Sequence, residues 1–430
     1  MSNSRRADQR KILIIGGGFA GVACAQRLAK RLNNSVEITL VSATPHFEYH
    51  AALYRIASGG NPLEVCVPLR EIFQHTQVRV VKDTIVTVDL ELQLARGESG
   101  SRYAYDELIL ALGSQTDYFQ TPGLAEQAFT LKNTADALKL KRHFHTLLTA
   151  CDLTDKRRQL CKTHCVVIGG GPTGTELAGA LAVYLRAMAQ RHGVDSSMVT
   201  IDLIQSAGQL LPQLPREVAS QVERKLRSLG VNIYFNRRIL KSTALRASIE
   251  GVNMSTSTII WAAGVRGHQL LAETVGLQLS PKGKVLVTPH LRARGQRNVY
   301  VLGDCAQTPQ SGMAQTALYD GNFVANTIAA ELTGHVAPRY SPPQPWNAVP
   351  IGHGWAAVTR GNFIVYGWLG WLIRRWLDLH VFMSIVKPKS ALELFLNGRT
   401  QVESCAICSQ LATESSDAYH ETQQSNLTHT

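Results

Sequence analysis

The chain has 430 residues, of which 45% are hydrophobic and 18% charged, a balance that is typical of a globular protein with two or three domains and excludes a mainly disordered chain. Its formal net charge is +12, but the lysines and arginines lie in small scattered clusters without a binding motif, so we expect no nucleic-acid partner. The first residues do not match a secretory signal, and the eight cysteines lack the spacing of an extracellular disulfide framework, so we expect a reducing compartment.

The first predicted unit is a strand, a glycine-rich turn and a helix. The turn GGGFAG follows an apolar run, a helical pattern follows at residues 22–32, and a second strand is predicted at residues 36–41. In a dinucleotide-binding turn, Gly16 allows the tight bend, Gly18 lets the backbone approach a pyrophosphate, and Gly21 lets the helix pack closely on the strand. The pattern therefore predicts a dinucleotide site at the start of a doubly wound sheet.

The segment after this unit has two different strand patterns. Apolar positions alternate at residues 78–81 and 85–94, which predicts an antiparallel ribbon. Residues 105–112 form a continuous apolar run that ends at Gly113, which predicts a buried strand.

A second unit repeats the plan of the first. The sequence HCVVIGGGPTG ends at Gly174, and Gly169 and Gly171 occupy the positions equivalent to Gly16 and Gly18. Further elements are predicted as strands at residues 166–168, 199–204, 231–235 and 259–263 and as helices at residues 176–190 and 217–229. One chain with two dinucleotide sites is expected to move electrons between two cofactors.

The chain then returns to the first unit. A strand at residues 299–302 is followed by Gly303, Asp304 and a helical pattern at residues 313–332, so we expect a discontinuous first domain. The predicted fold class is α/β, with two Rossmann-like dinucleotide-binding domains and a C-terminal membrane-associated region. The expected boundaries are residues 1–118 with 285–340, residues 119–284, residues 341–408, and a disordered tail at residues 409–430.

Several longer motifs occur in a fixed order along the chain. They are GGGFAG at residues 16–21, YDELILALGSQTDYFQTPG at 105–123, GGGPTGTELAGAL at 169–181, IIWAAGV at 259–265, NVYVLGDCA at 298–306 and AQTALYDG at 314–321. In order and spacing, from about residue 11 to about residue 396, the chain resembles the two-dinucleotide-binding flavoprotein superfamily and, within it, the type II NADH:quinone oxidoreductases.

The resemblance implies FAD at the first turn, and NADH or NADPH as a co-substrate at the second. It implies hydride transfer to FAD and then two-electron reduction of a membrane quinone of the menaquinone or ubiquinone class, without proton pumping, in a respiratory chain. The expected FAD-binding residues are Gly16, Gly18, Phe19, Ala20, Gly21, Ser42, Gly113, Gly303, Asp304 and Ala314. The expected nicotinamide-dinucleotide residues are Gly169, Gly171, Pro172, Thr173, Gly174, Glu176, Gln205 and Gly264.

Two carboxylates have both a structural and a functional interpretation. Asp304 either accepts hydrogen bonds from the ribityl hydroxyls of a flavin or caps the turn that follows it. Glu176 is favoured by the dipole at the start of a helix, and the resemblance gives it a catalytic position near the flavin–nicotinamide junction, either for positioning or for proton handling.

The acidic residue that usually follows the second strand of each dinucleotide fold is missing in both halves. Ser42 follows the second strand of the first unit, and its hydroxyl still suits a ribose hydroxyl. Gln205 stands in the second unit, where a neutral amide would not repel the 2′-phosphate of NADPH as a carboxylate would. Arg237 and Arg238 are candidate partners of that phosphate.

The motif AQTALYDG departs from the pattern of its relatives, which have two glutamines four residues apart that face the flavin and the quinone. Gln315 is retained, but Tyr319 takes the second position. The phenol either bonds or stacks on a quinone, which would make both residues catalytic, or Tyr319 is a core tyrosine.

The C-terminal region between residues 363 and 386 is strongly hydrophobic, but three charged residues interrupt it, so we do not expect a membrane span. A helix there would carry an apolar face opposite Arg374 and Asp378, which either lies on the membrane surface or forms a homodimer interface. We expect a peripheral protein on the cytoplasmic side of the cell membrane.

Two alternative functions are open at this point. A sulfide:quinone reductase would need paired reactive cysteines near the flavin, and no suitable pair follows the first Rossmann unit. A flavin-containing signalling protein would respond to NADH without fast turnover. Cys405 and Cys408 form one CAIC pair, which is at most half of a zinc site, so no metal site is expected.

Overall fold

The computed structural model describes residues 9–149 and 163–397, and for residue 397 the backbone alone. The predicted tail at residues 409–430 and the Cys405–Cys408 pair lie outside the described residues.

The first segment contains most of one parallel sheet. Its elements are β1 (Arg10–Ile15), α1 (Phe19–Leu32), β2 (Val36–Ser42), β3 (His46–Glu48), α2 (Leu53–Ala57), β4 (Cys66–Pro68), α3 (Leu69–Phe73), β5 (Val78–Lys82), β6 (Ile85–Asp89), β7 (Leu94–Gly97), β8 (Arg102–Ala104), β9 (Glu107–Leu110), β10 (Ser114–Thr116), α4 (Leu124–Gln127) and α5 (Thr134–Thr149). Residues 12–15 of β1 and 108–110 of β9 are apolar and buried, as expected for a parallel sheet covered on both faces.

The second segment repeats this plan. Its elements are β11 (His164–Ile168), α6 (Pro172–Arg191), β12 (Thr200–Ile204), α7 (Arg216–Ser228), β13 (Val231–Tyr234), β14 (Ile239–Thr243), β15 (Arg246–Ile249), β16 (Val252–Ser255), β17 (Thr258–Trp261), β18 (Val265–Gly267) and α8 (Gln269–Glu273). The parallel sheet has the order β13-β12-β11-β17, and β14, β15 and β16 form a separate antiparallel sheet. The second glycine-rich turn of the chain lies between the central strand β11 and α6.

The third segment completes the first sheet and then forms the C-terminal region. Its elements are β19 (Val299–Val301), α9 (Ala314–Leu332), β20 (Asn347–Pro350), β21 (Ala356–Arg360), β22 (Phe363–Val365), α10 (Gly367–Ile385) and α11 (Pro388–Asn397). Strand β19 pairs in parallel with β9, which gives the sheet order β19-β9-β1-β2-β5. The predicted fold class, with its two Rossmann-like layers and a discontinuous first one, is therefore confirmed.

One strand prediction was wrong. Strand β5 pairs in parallel with β2 at the edge of the first sheet, and the antiparallel ribbon consists of β6, β7 and β8. An edge strand of a parallel sheet is covered less completely than its central strands, so β5 has the alternating pattern that is typical of antiparallel strands.

Helix α9 packs closely on α1. Gly321 permits the approach, because a Cβ at this position would lie 2.3 Å from the carbonyl oxygen of Ala20. Asp320 beside it is fully buried and accepts a hydrogen bond from the backbone N–H of Gly303. This contact fixes the end of β19, and therefore Asp304, relative to the start of α1.

Candidate functional site

The two glycine-rich turns have the same local geometry. Gly16 and Gly169 have φ angles of +117° and +114°, which L side chains rarely adopt. A Cβ on Gly21 would lie 1.9 Å from the carbonyl oxygen of Gly16, and one on Gly174 would lie 1.8 Å from that of Gly169. Each of these four positions therefore requires glycine for the backbone alone, as the sequence predicted.

Gly18 and Gly171 differ from the other glycines of the two turns because both face open space. A Cβ built on either residue meets no atom within 4 Å. Both residues are N-caps, of α1 and α6, without a side chain that caps the helix. The free N–H groups and positive dipole at each helix end suit a pyrophosphate, so both turns fit the dinucleotides that the sequence predicts.

The residues around the first turn have different surroundings. Ser42 is buried at the end of β2, and its Oγ would lie 2.6 Å from a Cβ on Gly17. Phe19 is buried in the core, where its ring contacts Phe47 edge-on at a centroid distance of 4.9 Å. Ala20 is buried where α1 meets α9, and Ala314 is half-buried at the start of α9. Ser42 is thus next to the turn, whereas Phe19 supports it from the core.

Asp304 belongs to a polar chain that the sequence analysis missed. It lies within the short 3-10 helix Gly303–Cys305 rather than at its N-cap. Ser114 Oγ donates to Asp304 Oδ2 at 3.2 Å, and Lys132 Nζ donates to Ser114 Oγ at 3.1 Å. Burial lowers the pKa of Lys132, although Asp304 and Asp136 oppose this effect.

The polar side chains of Asp304, Ser114 and Lys132 lie close to Gly113. Gly113 also faces open space and has a φ of +72°. Ser114 follows Gly113 directly in a motif that the sequence analysis quoted, so its position was a usable signal. Lys132 carried no such signal, because it lies outside every motif quoted above; its contact with Ser114 Oγ links it to Asp304.

Gln205 fixes a loop beside the second turn. Its Oε1 accepts from the N–H groups of Gly170 at 3.2 Å and Ser206 at 3.1 Å, and its Nε2 donates to the carbonyl oxygen of Gln209 at 3.0 Å. The side chain is buried, and both its amide oxygen and its amide nitrogen have a partner in the protein. Arg237 donates to the carbonyl oxygen of Glu250 at 2.7 Å.

Three other predicted nicotinamide residues lie directly after the second turn or beyond β17, the strand that pairs with β11. Pro172 and Thr173 are exposed at the start of α6. Gly264 is covered on one side, since a Cβ there would lie 2.6 Å from the carbonyl oxygen of Asp117 and 2.7 Å from the ring of Phe119. Glycine at this position therefore lets the segment around residue 117 approach the backbone closely.

Glu176 is half-buried and lies just after the first turn of α6. Loss of hydration raises the pKa of its carboxyl to about 8, although the positive charges of Arg374 and Arg55 oppose this rise. A carboxyl group with this pKa can hold or release a proton near neutral pH.

Arg374 and Arg55 belong to a buried charge cluster, which consists of Tyr49, Arg55, Arg374, Arg375 and Asp378. The fully buried Asp378 accepts hydrogen bonds from Tyr49 Oη at 2.6 Å and Arg55 Nη2 at 2.5 Å. Arg374 and Arg375 lie 3.4 Å and 3.7 Å from its oxygens. The cluster therefore joins α10 to the segment around α2.

Gln315 and Tyr319 line one groove. The amide of Gln315 donates to the carbonyl oxygen of Trp346 at 3.3 Å and accepts from its N–H at 3.0 Å. Tyr319 is half-buried, and its hydroxyl accepts from the N–H of Ser341 at 3.1 Å. The groove has a volume of ≈ 560 Å³ and lies between α1, α9, the segment around Trp346, and α10.

The cysteines in the described part of the chain are all free. Cys24, Cys165 and Cys305 are buried, and burial raises the pKa of each thiol, so they pack as small apolar residues. Cys66 is half-buried. Residues 9–149 and 163–397 therefore contain no disulfide that could exchange electrons with a flavin.

Two Rossmann-like layers, each with a glycine turn open to a pyrophosphate, define the fold of a two-dinucleotide-binding oxidoreductase. Residues 10–321 match the family model described as pyridine nucleotide-disulphide oxidoreductase. The type II NADH:quinone oxidoreductase of Mycobacterium tuberculosis is 30% identical over 394 residues, which cover 87% of this chain and 84% of that protein. The chain belongs to this family, and within it to the type II NADH:quinone oxidoreductases, so the predicted resemblance is confirmed.

One further relative and two solved structures are also similar to the chain. The type II NADH:quinone oxidoreductase of Staphylococcus aureus is 27% identical over 341 residues, which cover 76% of this chain and 84% of that protein. The structure of NDH2 from Plasmodium falciparum in complex with NADH has a TM-score of 0.81 at 17% identity and covers 90% of this chain and 97% of that chain. The sulfide:quinone oxidoreductase of Aquifex aeolicus shares the fold with a TM-score of 0.71 at 17% identity, covering 90% of this chain and 96% of that chain.

Proposed function

We propose that this protein is an FAD-dependent NAD(P)H:quinone oxidoreductase. The observation that carries the proposal is the pair of glycine turns, which have one geometry and both open onto free space at Gly18 and Gly171. FAD at the first turn would supply the redox chemistry, taking a hydride from the nicotinamide and passing two electrons to the quinone. The names of the relatives favour NADH as the donor.

The residues of the chain have separate roles in this proposal. The N-termini of α1 and α6 hold the two pyrophosphates. Asp304, which accepts a bond from Ser114, offers carboxylate oxygen to the ribityl hydroxyls. Glu176 holds a proton near the second turn, close to the positive charges of Arg374 and Arg55 in the charge cluster.

The groove at Gln315 and Tyr319 suits a quinone as the acceptor. Its walls include Leu318, Trp346, Trp376 and Leu377, which provide apolar and aromatic contact area, and the Tyr319 hydroxyl can donate its proton to a quinone carbonyl. One wall is α10, whose outer surface is apolar. A quinone with a long apolar tail would therefore enter from the side of α10.

An anaerobic stopped-flow experiment tests the proposal. NADH should bleach the flavin absorbance, and a menaquinone or ubiquinone analogue added afterwards should restore it within the turnover time. A reduced flavin that persists with quinone present would favour the signalling alternative. Reduction by sulfide but not by NADH would favour the sulfide:quinone reductase alternative.

Glu176→Gln should change how flavin reoxidation depends on pH. The carboxyl of Glu176 loses its proton as the pH rises through about 8, so a proton supplied by Glu176 disappears above that pH. We expect the wild-type rate with quinone to fall above about pH 8 and the variant to be slower at pH 7 without this fall. The exposed Glu37 provides a control, because Glu37→Gln should keep the wild-type profile. An unchanged profile in Glu176→Gln would remove Glu176 from proton handling.

We further propose a peripheral position on the cytoplasmic side of the cell membrane, and the outer surface of α10 supports the contact with a membrane. Trp368, Leu369 and Trp376 are 62%, 58% and 57% exposed, whereas Arg374 and Asp378 of the same helix are buried. Exposed tryptophans and leucines on one face are typical of helices that lie in a membrane surface. None of the helices within residues 9–149 and 163–397 combines the length and hydropathy that a membrane crossing requires.

Trp368→Ser combined with Trp376→Ser should lower binding to phosphatidylcholine vesicles at least about tenfold, since each buried aromatic side chain contributes about 1.5–3 kcal/mol. Co-sedimentation measures this binding. Leu245→Ser with Val275→Ser is a matched control, because both residues are exposed apolar residues outside α10. Unchanged sedimentation together with a halved mass in solution would assign the α10 surface to a homodimer.

Gln205→Glu should reduce the use of NADPH more than that of NADH. The new carboxylate would repel a 2′-phosphate, and its second oxygen would face the carbonyl oxygen of Gln209, which now accepts a bond from the amide. We expect kcat/KM for NADPH to fall at least about tenfold relative to that for NADH, which is about 1.4 kcal/mol. A wild-type NADH preference that the substitution leaves unaltered would exclude Gln205 as a determinant.

A further inference from the structure

Three metal-ligating side chains lie together on the short ribbon formed by β3 and β4. These strands pair antiparallel, with Glu48 opposite Cys66. His46 is two residues from Glu48 in the same strand, and alternate residues of a strand point to the same face. The ribbon therefore places an imidazole, a carboxylate and a thiol on one side.

The distances between the three side chains suit one small cation. One ligand atom from each of His46, Glu48 and Cys66 lies within 4.8 Å of the other two. His46 Nε2 and Glu48 Oε1 are 3.2 Å apart, which is close to the roughly 3.3 Å that separates two ligands of a tetrahedral zinc ion with bonds of about 2.0 Å. A small movement of the Cys66 side chain would bring its thiol to the same ion as the other two ligands.

The surroundings hold these groups in place. Thr134 contacts two of the three ligands, because its N–H donates to Glu48 Oε1 at 3.3 Å and its Oγ1 lies 3.1 Å from Cys66 Sγ. Glu48 is buried, while His46 and Cys66 are half-buried, so an ion could enter from the His46 side. A carboxylate has enough lone pairs to bind an ion and still accept the Thr134 bond.

We propose that His46, Glu48 and Cys66 form a site for a divalent cation of the zinc class on the β3–β4 ribbon. Nitrogen, oxygen and sulfur ligands together favour Zn²⁺ over Mg²⁺ or Ca²⁺, which prefer oxygen alone. Three protein ligands leave the fourth position to water. The ion links two strands of three residues each and thereby stabilises the segment that leads into Tyr49 and the charge cluster.

Zn²⁺ binding to the full-length, flavin-loaded protein tests this proposal. Cys405→Ser and Cys408→Ser are introduced first, so that the CAIC pair does not contribute. Equilibrium dialysis with elemental analysis should then give one bound Zn²⁺ per chain. Cys66→Ser and His46→Gln should each weaken binding at least about tenfold, since even residues that only support a ligand contribute that much. The exposed His75 serves as a control, and His75→Gln should leave binding unchanged.

A second measurement requires no substitution at the site. Zn²⁺ should slow the alkylation of Cys66 by iodoacetamide, and peptide mass spectrometry identifies which cysteine is protected. Zn²⁺ should also raise the melting temperature of the background protein but not that of Cys66→Ser. Binding that is unaffected by Cys66→Ser, or alkylation of Cys66 at the same rate with and without Zn²⁺, would overturn the proposal.

Discussion

Replacing Asp378 by alanine should lower the free energy of unfolding of the unit that contains α10 by about 3–5 kcal/mol. The carboxylate is fully buried and is the shared partner of Arg55, Arg374 and Arg375. Removing it leaves these guanidinium groups without their counter-ion and Tyr49 without its acceptor. The remaining carbonyl partner of Arg374, at Ala51, cannot neutralise its charge.

The pH dependence of this contribution follows from the pKa of Asp378. Burial alone would raise this pKa, but Arg374, Arg55 and the bond from Tyr49 hold it below the ordinary value of an aspartate. A carboxyl group with a lowered folded-state pKa stabilises the protein above its ordinary pKa, and the stabilisation is lost as the pH falls through the lowered value. The difference between wild type and Asp378→Ala should therefore be full at neutral pH and shrink in acid.

Urea unfolding followed by tryptophan fluorescence measures this effect, and an exposed ion pair provides the control. Glu223 pairs with Arg227 one helical turn away on α7 at 2.8 Å, and both side chains are partly solvated. Glu223→Ala should cost no more than about 0.5 kcal/mol. Equal midpoints for the two variants would mean that the cluster around Asp378 does not hold α10 on the protein.

The sequence predicted the two turns because their requirements are local. Gly16 has the positive φ of the turn itself, and Gly21 is required by the carbonyl oxygen of Gly16, five residues earlier. The parallel strands β1 and β9 were also predictable, because each contains a continuous apolar run, at residues 12–15 and 108–110. Strand β5 was misassigned since its pattern depends on its position at the sheet edge, which no local signal records.

The polar contacts of the site were not predictable, because their partners are distant in sequence. Ser114 and Asp304 are 190 residues apart, and Tyr49 and Asp378 are 329 apart. The sequence indicated that Arg374 and Asp378 share one face of a helix, but charged faces usually point to water. Their burial needs Arg55 and Tyr49 as partners, and these lie on another segment.

The orientation of α10 has a consequence for how membrane binding can be studied. Truncation before α10 would remove Asp378 and Phe382 from the core together with the exposed tryptophans, and would leave Tyr49 uncovered. Loss of vesicle binding in such a protein would not separate unfolding from loss of the membrane face. Substitution of Trp368 and Trp376, which are both more than half exposed, leaves Asp378 and Phe382 in the core.

Gly18→Ala and Gly171→Ala should separate the two cofactor sites. Both glycines have extended backbone angles, with φ of −83° and −78°, that alanine adopts without strain. Both positions have no protein atom within 4 Å of an added Cβ. Neither substitution should therefore alter the fold, and each methyl group should occupy only the space in front of its own helix.

The expected results for the two variants are opposite. Gly18→Ala should be purified with a much lower ratio of flavin to protein, because its Cβ would meet the pyrophosphate of FAD. Gly171→Ala should keep its full flavin content and absorbance, while its KM for NADH rises at least about tenfold, or about 1.4 kcal/mol. Reduction by dithionite should remain normal in Gly171→Ala.

Each variant is the control for the other, because the two turns are sterically equivalent and differ only in the cofactor assigned to them. Gly174→Ala adds a third comparison, since its Cβ would lie 1.8 Å from the carbonyl oxygen of Gly169 and should destabilise the second layer itself. Flavin loss in Gly171→Ala with normal flavin in Gly18→Ala would reverse the assignment of the sites. Flavin loss in both variants would mean that the second turn supports FAD binding as well, which would contradict its assignment to the nicotinamide dinucleotide alone.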